Sequence, residues 1–67
     1  MTIDLGTIAR ERREYLGLSQ RKLAEKSGYS LDTINAFEND RRNVGIDTVL
    51  DIFNVLGLKL VVKEEKR

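Results

Sequence analysis

Leu31, Asp32, Asn35 and Ala36 fall on one face if the stretch "SGYSLDTINAFEND" is helical. That face is small and neutral-to-acidic, poorly suited to a core. Its acid and amide can donate and accept hydrogen bonds, and Arg41 and Arg42 follow within a turn or two. Catalysis is a weaker use of such residues. The chain has no histidine and no cysteine, so it offers neither a thiol or imidazole nucleophile system nor metal-ligand spacing. No glycine-rich phosphate loop is present. The remaining carboxylates are scattered over helix faces, and a domain this small seldom has a cleft to desolvate them. The sequence is therefore read as that of a non-enzyme, without cofactor or metal.

The net charge of +1 hides an uneven distribution. Residues 10–26 carry six bases and three acids, whereas 31–56 carry two bases and five acids. The segment after Leu56 is basic again, with four bases and two acids. Asymmetry of this kind can mark a surface that meets an anion, and it also suits ordinary solvated helix faces. Sixty-seven residues allow one domain with a thin core, so dimerisation is an expected support. No apolar run approaches the ~20 residues that span a bilayer, and the N-terminus lacks a signal-peptide pattern. The expected location is cytoplasmic.

The elements that must position these residues can be read from periodicity. A first helix is expected over 4–16, capped by Asp4, with Leu5, Ile8, Ala9 and Leu16 inward and Arg12 interrupting the stripe. Ser19 caps a short second helix over 20–27, with Leu23 and Ala24 inward. Gly28 stands at a turn where a positive φ is cheap only for glycine. Ser30 caps a third helix ending near 39, with Ile34 and Phe37 inward. A polar turn, "NDRRNVG", leads to a fourth helix over 46–56, with Ile46, Val49, Leu50, Phe53 and Leu56 on its apolar stripe. In "LKLVVK" the period changes to two, which predicts a strand over 58–63. One strand cannot satisfy its own backbone, so pairing with the same strand of a second copy is expected. Leu58, Leu60 and Val62 would lie on its apolar side, and 64–67 reads as a charged tail.

The second and third helices, joined by a tight turn over 20–39, have the spacing of a helix-turn-helix, whose second helix can enter the major groove. An ordinary helical hairpin meets the same spacing. The wider sequence resembles the Cro/cI-type (XRE-like) helix-turn-helix family. The resemblance rests on Arg13, the run Gly17-Leu18-Ser19-Gln20, Leu23-Ala24, Gly28, Ile34, Glu38-Asn39 and Arg41. The continuation through "LGLKLVV" is similar to the HipB-like antitoxin subgroup, whose partner is a HipA-type kinase toxin.

This resemblance implies a mainly α, four-helix lambda-repressor-like domain over 1–57, with a short C-terminal β-strand paired across a dimer. It implies that Leu31, Asp32, Asn35 and Ala36 point into the major groove. There Asn35 could read adenine, Asp32 could accept from cytosine, and Leu31 and Ala36 could pack on thymine methyls. Gln20 (by side chain or backbone N–H), Arg21, Ser30, Arg41 and Arg42 would hold phosphates. Arg13 and Glu38 would form a partly buried structural ion pair. The implied partners are double-stranded DNA, a second copy and a possible toxin. The implied function is a sequence-specific repressor acting as a homodimer on a palindrome, plausibly an autorepressing antitoxin. The alternatives are an interaction module whose main task is neutralising a toxin, or a stand-alone phage-type repressor. Family members often carry glutamine or a base near Leu31 and Asp32, so the acid here departs from the pattern. Asp32 could serve the helix dipole instead of a base.

Overall fold

Three of the four helices among the described residues begin at side chains that take up an otherwise unpaired backbone N–H. In the computed structural model, which describes residues 4–39 and 44–65, Asp4 opens α1 (Leu5–Tyr15), Ser19 opens α2 (Gln20–Ser27) and Ser30 opens α3 (Leu31–Glu38). The acceptors are Asp4 Oδ1 for Thr7 N at 3.1 Å, Ser19 Oγ for Lys22 N at 2.9 Å, and Ser30 Oγ for Thr33 N at 3.0 Å. α4 (Ile46–Val55) starts at Gly45 without a side-chain cap. Gly28 closes α2 at φ +82°, and its N–H reaches Ala24 O at 2.9 Å. A side chain there would be strained, so this turn depends on glycine.

α2 packs on α3 and α4, and α1 packs on the same two helices. Ala9, Leu23, Ile34, Ile52 and Leu56 are at most 1% exposed and form the centre of the core. Ala24, Phe37, Val49 and Phe53 complete it. The small Ala24 fits where α2 approaches its neighbours. Glu38 is the buried charged residue among those described.

Two apolar stripes are only partly covered. On α4 the buried side chains are Val49, Ile52, Phe53 and, just beyond, Leu56; Ile46 is 56% exposed and Leu50 42% exposed. At 100° per residue the buried set spans an arc of about 100°, and Ile46 with Leu50 lies on its flank. The neighbouring helices cover only that arc. On α1, Ala9 is fully buried and Leu5 half-buried, but Ile8 and Leu16 remain exposed. Arg12 is not an interruption without a purpose: its Nε donates to Leu56 O at 3.0 Å, a favourable cation at the C-terminal end of α4. The guanidinium also stands 5.4 Å from the Tyr15 ring centroid.

The expected strand over 58–63 is not formed: there is no strand among the described residues. Leu58 instead continues the helix end, its N–H reaching Phe53 O at 2.8 Å and its side chain packing on the core. The residues after it have no ladder partner within one chain, which is the physical reason for the difference. Leu60, Val61 and Val62 are 38%, 62% and 92% exposed.

Candidate nucleic-acid interface

α3 carries the candidate reading residues, and its packing decides which of them reach the surface. Leu31 is 40% exposed and Asp32 is exposed, both in the first turn. Asn35, one turn on, is half-buried. Ala36 departs from the expectation for that face. It is only 5% exposed, buried along with Ile34 and Phe37 of the same helix. It therefore has almost no surface to offer a thymine methyl.

The N-terminus of α3 faces outward. Ser30 is exposed, accepts from Thr33 N and donates to Thr33 Oγ1 at 2.9 Å. The first N–H groups of a helix have no intrahelical partner, and together with the dipole they favour an anion. Asp32 in this turn is well placed for the dipole but opposes a phosphate. On α2, Arg21 and Lys22 in the first turns are exposed, as is Lys26 in the last. Arg41 and Arg42 lie outside the described residues.

Behind this surface stands a buried ion pair. Arg13 grips Glu38 with two parallel hydrogen bonds, Nε to Oε2 at 2.7 Å and Nη2 to Oε1 at 2.9 Å. Its Nη1 donates to Leu18 O at 2.8 Å. The Arg13 side chain is 11% exposed and that of Glu38 is at 0%. The hydrogen bond to Glu38 holds the Arg13 guanidinium above its ordinary value, against the opposing effect of burial. One ion pair thus locks α1, the α1–α2 turn and α3 together.

Gln20 extends the network. Its Nε2 donates to Glu38 Oε1 at 3.1 Å, and its Oε1 accepts from Asn35 Nδ2 at 3.3 Å. The side chain is half-buried and turned inward. Its backbone N–H, the first of α2, is then the better group to meet a phosphate.

Sequence reasoning missed three contacts that hold this surface in place. Gly6 lies against the C-terminal end of α3: a Cβ there would stand 2.1 Å from Phe37 O. Tyr29, in the α2–α3 turn, donates from its hydroxyl to Asp51 Oδ2 of α4 at 2.6 Å. The third is the Gln20–Asn35 link. None has a local sequence signal, since each joins residues brought together by packing. No buried side-chain polar atom among the described residues lacks a partner. Among the same residues no cluster of potential metal ligands occurs and no helix is long and apolar enough to cross a membrane.

The sequence from 10 to 62 matches the Helix-turn-helix family (HTH_3). The chain is also similar to a propionyl-CoA carboxylase regulator of Cereibacter sphaeroides, 38% identical over 65 residues. That alignment covers 92% of this chain and 14% of the relative, so the chain spans about one seventh of the relative's length. The family match covers most of the chain, and the two short helices it requires meet at Gly28 with the second helix's capped end exposed. The chain belongs to the XRE/Cro-like helix-turn-helix family of DNA-binding regulators.

Proposed function

We propose that the chain is a sequence-specific transcriptional repressor that binds a palindromic operator as a homodimer. α3 enters the major groove, with Leu31, Asp32 and Asn35 toward the bases. The backbone N–H groups at the starts of α2 and α3, with Arg21, Ser30, Arg41 and Arg42, hold the phosphates. Phosphate contacts position the helix and base contacts specify the site. The observation that carries this reading is the outward, Ser30-capped N-terminal turn of α3, braced from behind by the Arg13–Glu38 pair. The relative's description as a regulator supports it.

An electrophoretic shift screen against palindromes, including the DNA upstream of the protein's own reading frame, tests the proposal. Two half-sites centred about 34–36 Å apart suit paired recognition helices. Binding should weaken steeply with salt, because it releases counterions from phosphates. Undetectable or salt-independent binding at low ionic strength refutes it. Arg41→Ala and Arg42→Ala should weaken all sequences alike, each lowering the salt slope by about one. Asn35→Ala should alter preference at one or two base pairs.

The dimer is proposed to form through the C-terminal segment. Leu60, Val61 and Val62 leave apolar side chains in water, and alternation over 58–63 suits pairing with a second copy about a two-fold axis. The same exposed segment favours a second reading, an antitoxin that neutralises a kinase-like toxin by direct contact while repressing its own operon. A toxin reading frame beside this one, and co-purification of the two products, would support that role. A lone reading frame favours a stand-alone repressor.

A further inference from the structure

We infer that Gln20 is a positioning residue for base recognition: it ties Asn35 to the buried Arg13–Glu38 pair and so sets the order of donor and acceptor that Asn35 shows to DNA. The inference rests on the proposed function and names the side chain behind its specificity.

The direction of the network is dictated from its buried end. Glu38 is 2% exposed and is held by Arg13 through both oxygens. A carboxylate in that state only accepts, so a neighbouring amide must turn its nitrogen toward it. Gln20 does so, at 3.1 Å. Its oxygen then faces the other way, where it too can only accept. Asn35 meets it with Nδ2 at 3.3 Å. Reversing Asn35 would set two oxygens against each other. The fixed charge of Glu38 therefore selects one of the two orientations of the Asn35 amide, acting through Gln20.

That selection matters because the two orientations read different bases. An amide that offers N–H and oxygen side by side in one order matches adenine N7 and N6. The reversed order opposes donor to donor and acceptor to acceptor. The backbone of Asn35 is also held, since Asn39 Nδ2 donates to Asn35 O at 2.8 Å. Immobilising a rotamer-rich side chain before binding is worth roughly two- to tenfold. Gln20 contributes this without itself touching a base. The link joins the first residue of α2 to the middle of α3, so it crosses the turn that the family uses to present its reading helix.

The test uses the full chain and its selected DNA site. Asn35→Ala first identifies the base pair whose preference Asn35 controls. Discrimination at that pair is then measured for wild type, Gln20→Ala, Asn35→Ala and the double variant, beside the salt slope and thermal stability. Gln20→Ala should lower discrimination at that pair roughly two- to tenfold, leave other positions and the salt slope unchanged, and add nothing once Asn35 is alanine. Gln20→Met, which keeps the bulk and removes both polar ends, serves if the alanine variant does not fold. Wild-type discrimination in the Gln20 variants overturns the inference alone. So does an equal loss on every sequence, or a loss that persists in the Asn35→Ala background. No sequence-preferring binding by wild type overturns the proposed function and this inference with it.

Discussion

Gly6→Ala is a case in which helix propensity and packing predict opposite signs. Gly6 lies in the first turn of α1, where alanine is the better helix former by about 0.8–1.0 kcal/mol. On that ground alone the variant should gain stability. But Gly6 is buried, and an added Cβ would stand 2.1 Å from Phe37 O, 3.1 Å from Phe37 C and 3.3 Å from Glu38 Cα. The closest approach is about 1.3 Å short of the 3.4 Å at which ordinary contact begins. All three atoms are backbone, so no side chain can swing aside. α1 must move off the end of α3, and overpacking of this kind costs about 1–3 kcal/mol, sometimes more. A backbone overlap this deep calls on the upper part of that range, about 2–3 kcal/mol, so a net loss of about 1–2 kcal/mol remains after the propensity gain. For a domain of this size that lowers Tm by roughly 5–15 °C. Thermal unfolding followed by circular dichroism, with urea unfolding alongside, reads it directly. A Tm equal to or above that of wild type would refute the close approach of α1 to α3.

The other predictions concern charge, pH and the C-terminal segment. Arg13→Met leaves the Glu38 carboxylate buried without its ion partner and should cost about 3–5 kcal/mol in urea unfolding, much of it recovered in Arg13→Met/Glu38→Leu; a double variant no more stable than the single one contradicts this. The hydrogen bond to Asp51 raises the Tyr29 hydroxyl above its ordinary value of 10.0, so its contribution is complete below that pH and is lost as pH rises through the folded value. Tyr29→Phe should remove that alkaline loss, and identical pH profiles for the two proteins would refute it. The hydrogen bonds from Thr7 lower the Asp4 carboxyl, so its capping contribution is present above pH 3.8 and disappears as pH falls through the lower folded value; Asp4→Ala should flatten the acid limb of the melting curve. Removing 59–67 spares Leu58, which packs on the core, and should shift the sedimentation of the proposed dimer toward monomer without lowering helicity; unchanged sedimentation would exclude this segment from the interface.

What was legible in the sequence was the chemistry that acts over a few residues. Asp4, Ser19 and Ser30 announce helix starts because their side-chain oxygens reach an N–H three residues on. Gly28 announces the turn because few other residues tolerate its φ of +82°. Leu23, Ile34 and Phe37 are core by spacing and are buried in the fold. What was less legible depends on neighbours that a single stripe does not name. Ile46 and Leu50 share the apolar stripe of α4 with Val49 and Phe53, yet only the latter pair is buried. Ala36 falls near Asp32 on a helical wheel, yet it is only 5% exposed. The strand expected over 58–63 is not formed, since its backbone partners would have to come from another chain. Gln20 is the most instructive case. Its position suggests a phosphate contact, and only the buried charge of Glu38 reveals why its side chain turns inward.

In the proposed function α3 reads DNA from a surface whose positive charge lies around it and whose specificity comes from uncharged or acidic groups. The most direct test is selection of bound sequences from a random duplex library, followed by titration of the selected site with wild type and Asn35→Ala at two or more salt concentrations. The expected result is a palindromic site, affinity that falls steeply with salt, and a preference that Asn35→Ala relaxes at one or two pairs while binding elsewhere on the site persists. Enrichment of no sequence, or an Asn35→Ala protein with the wild-type preference at every position, would contradict it.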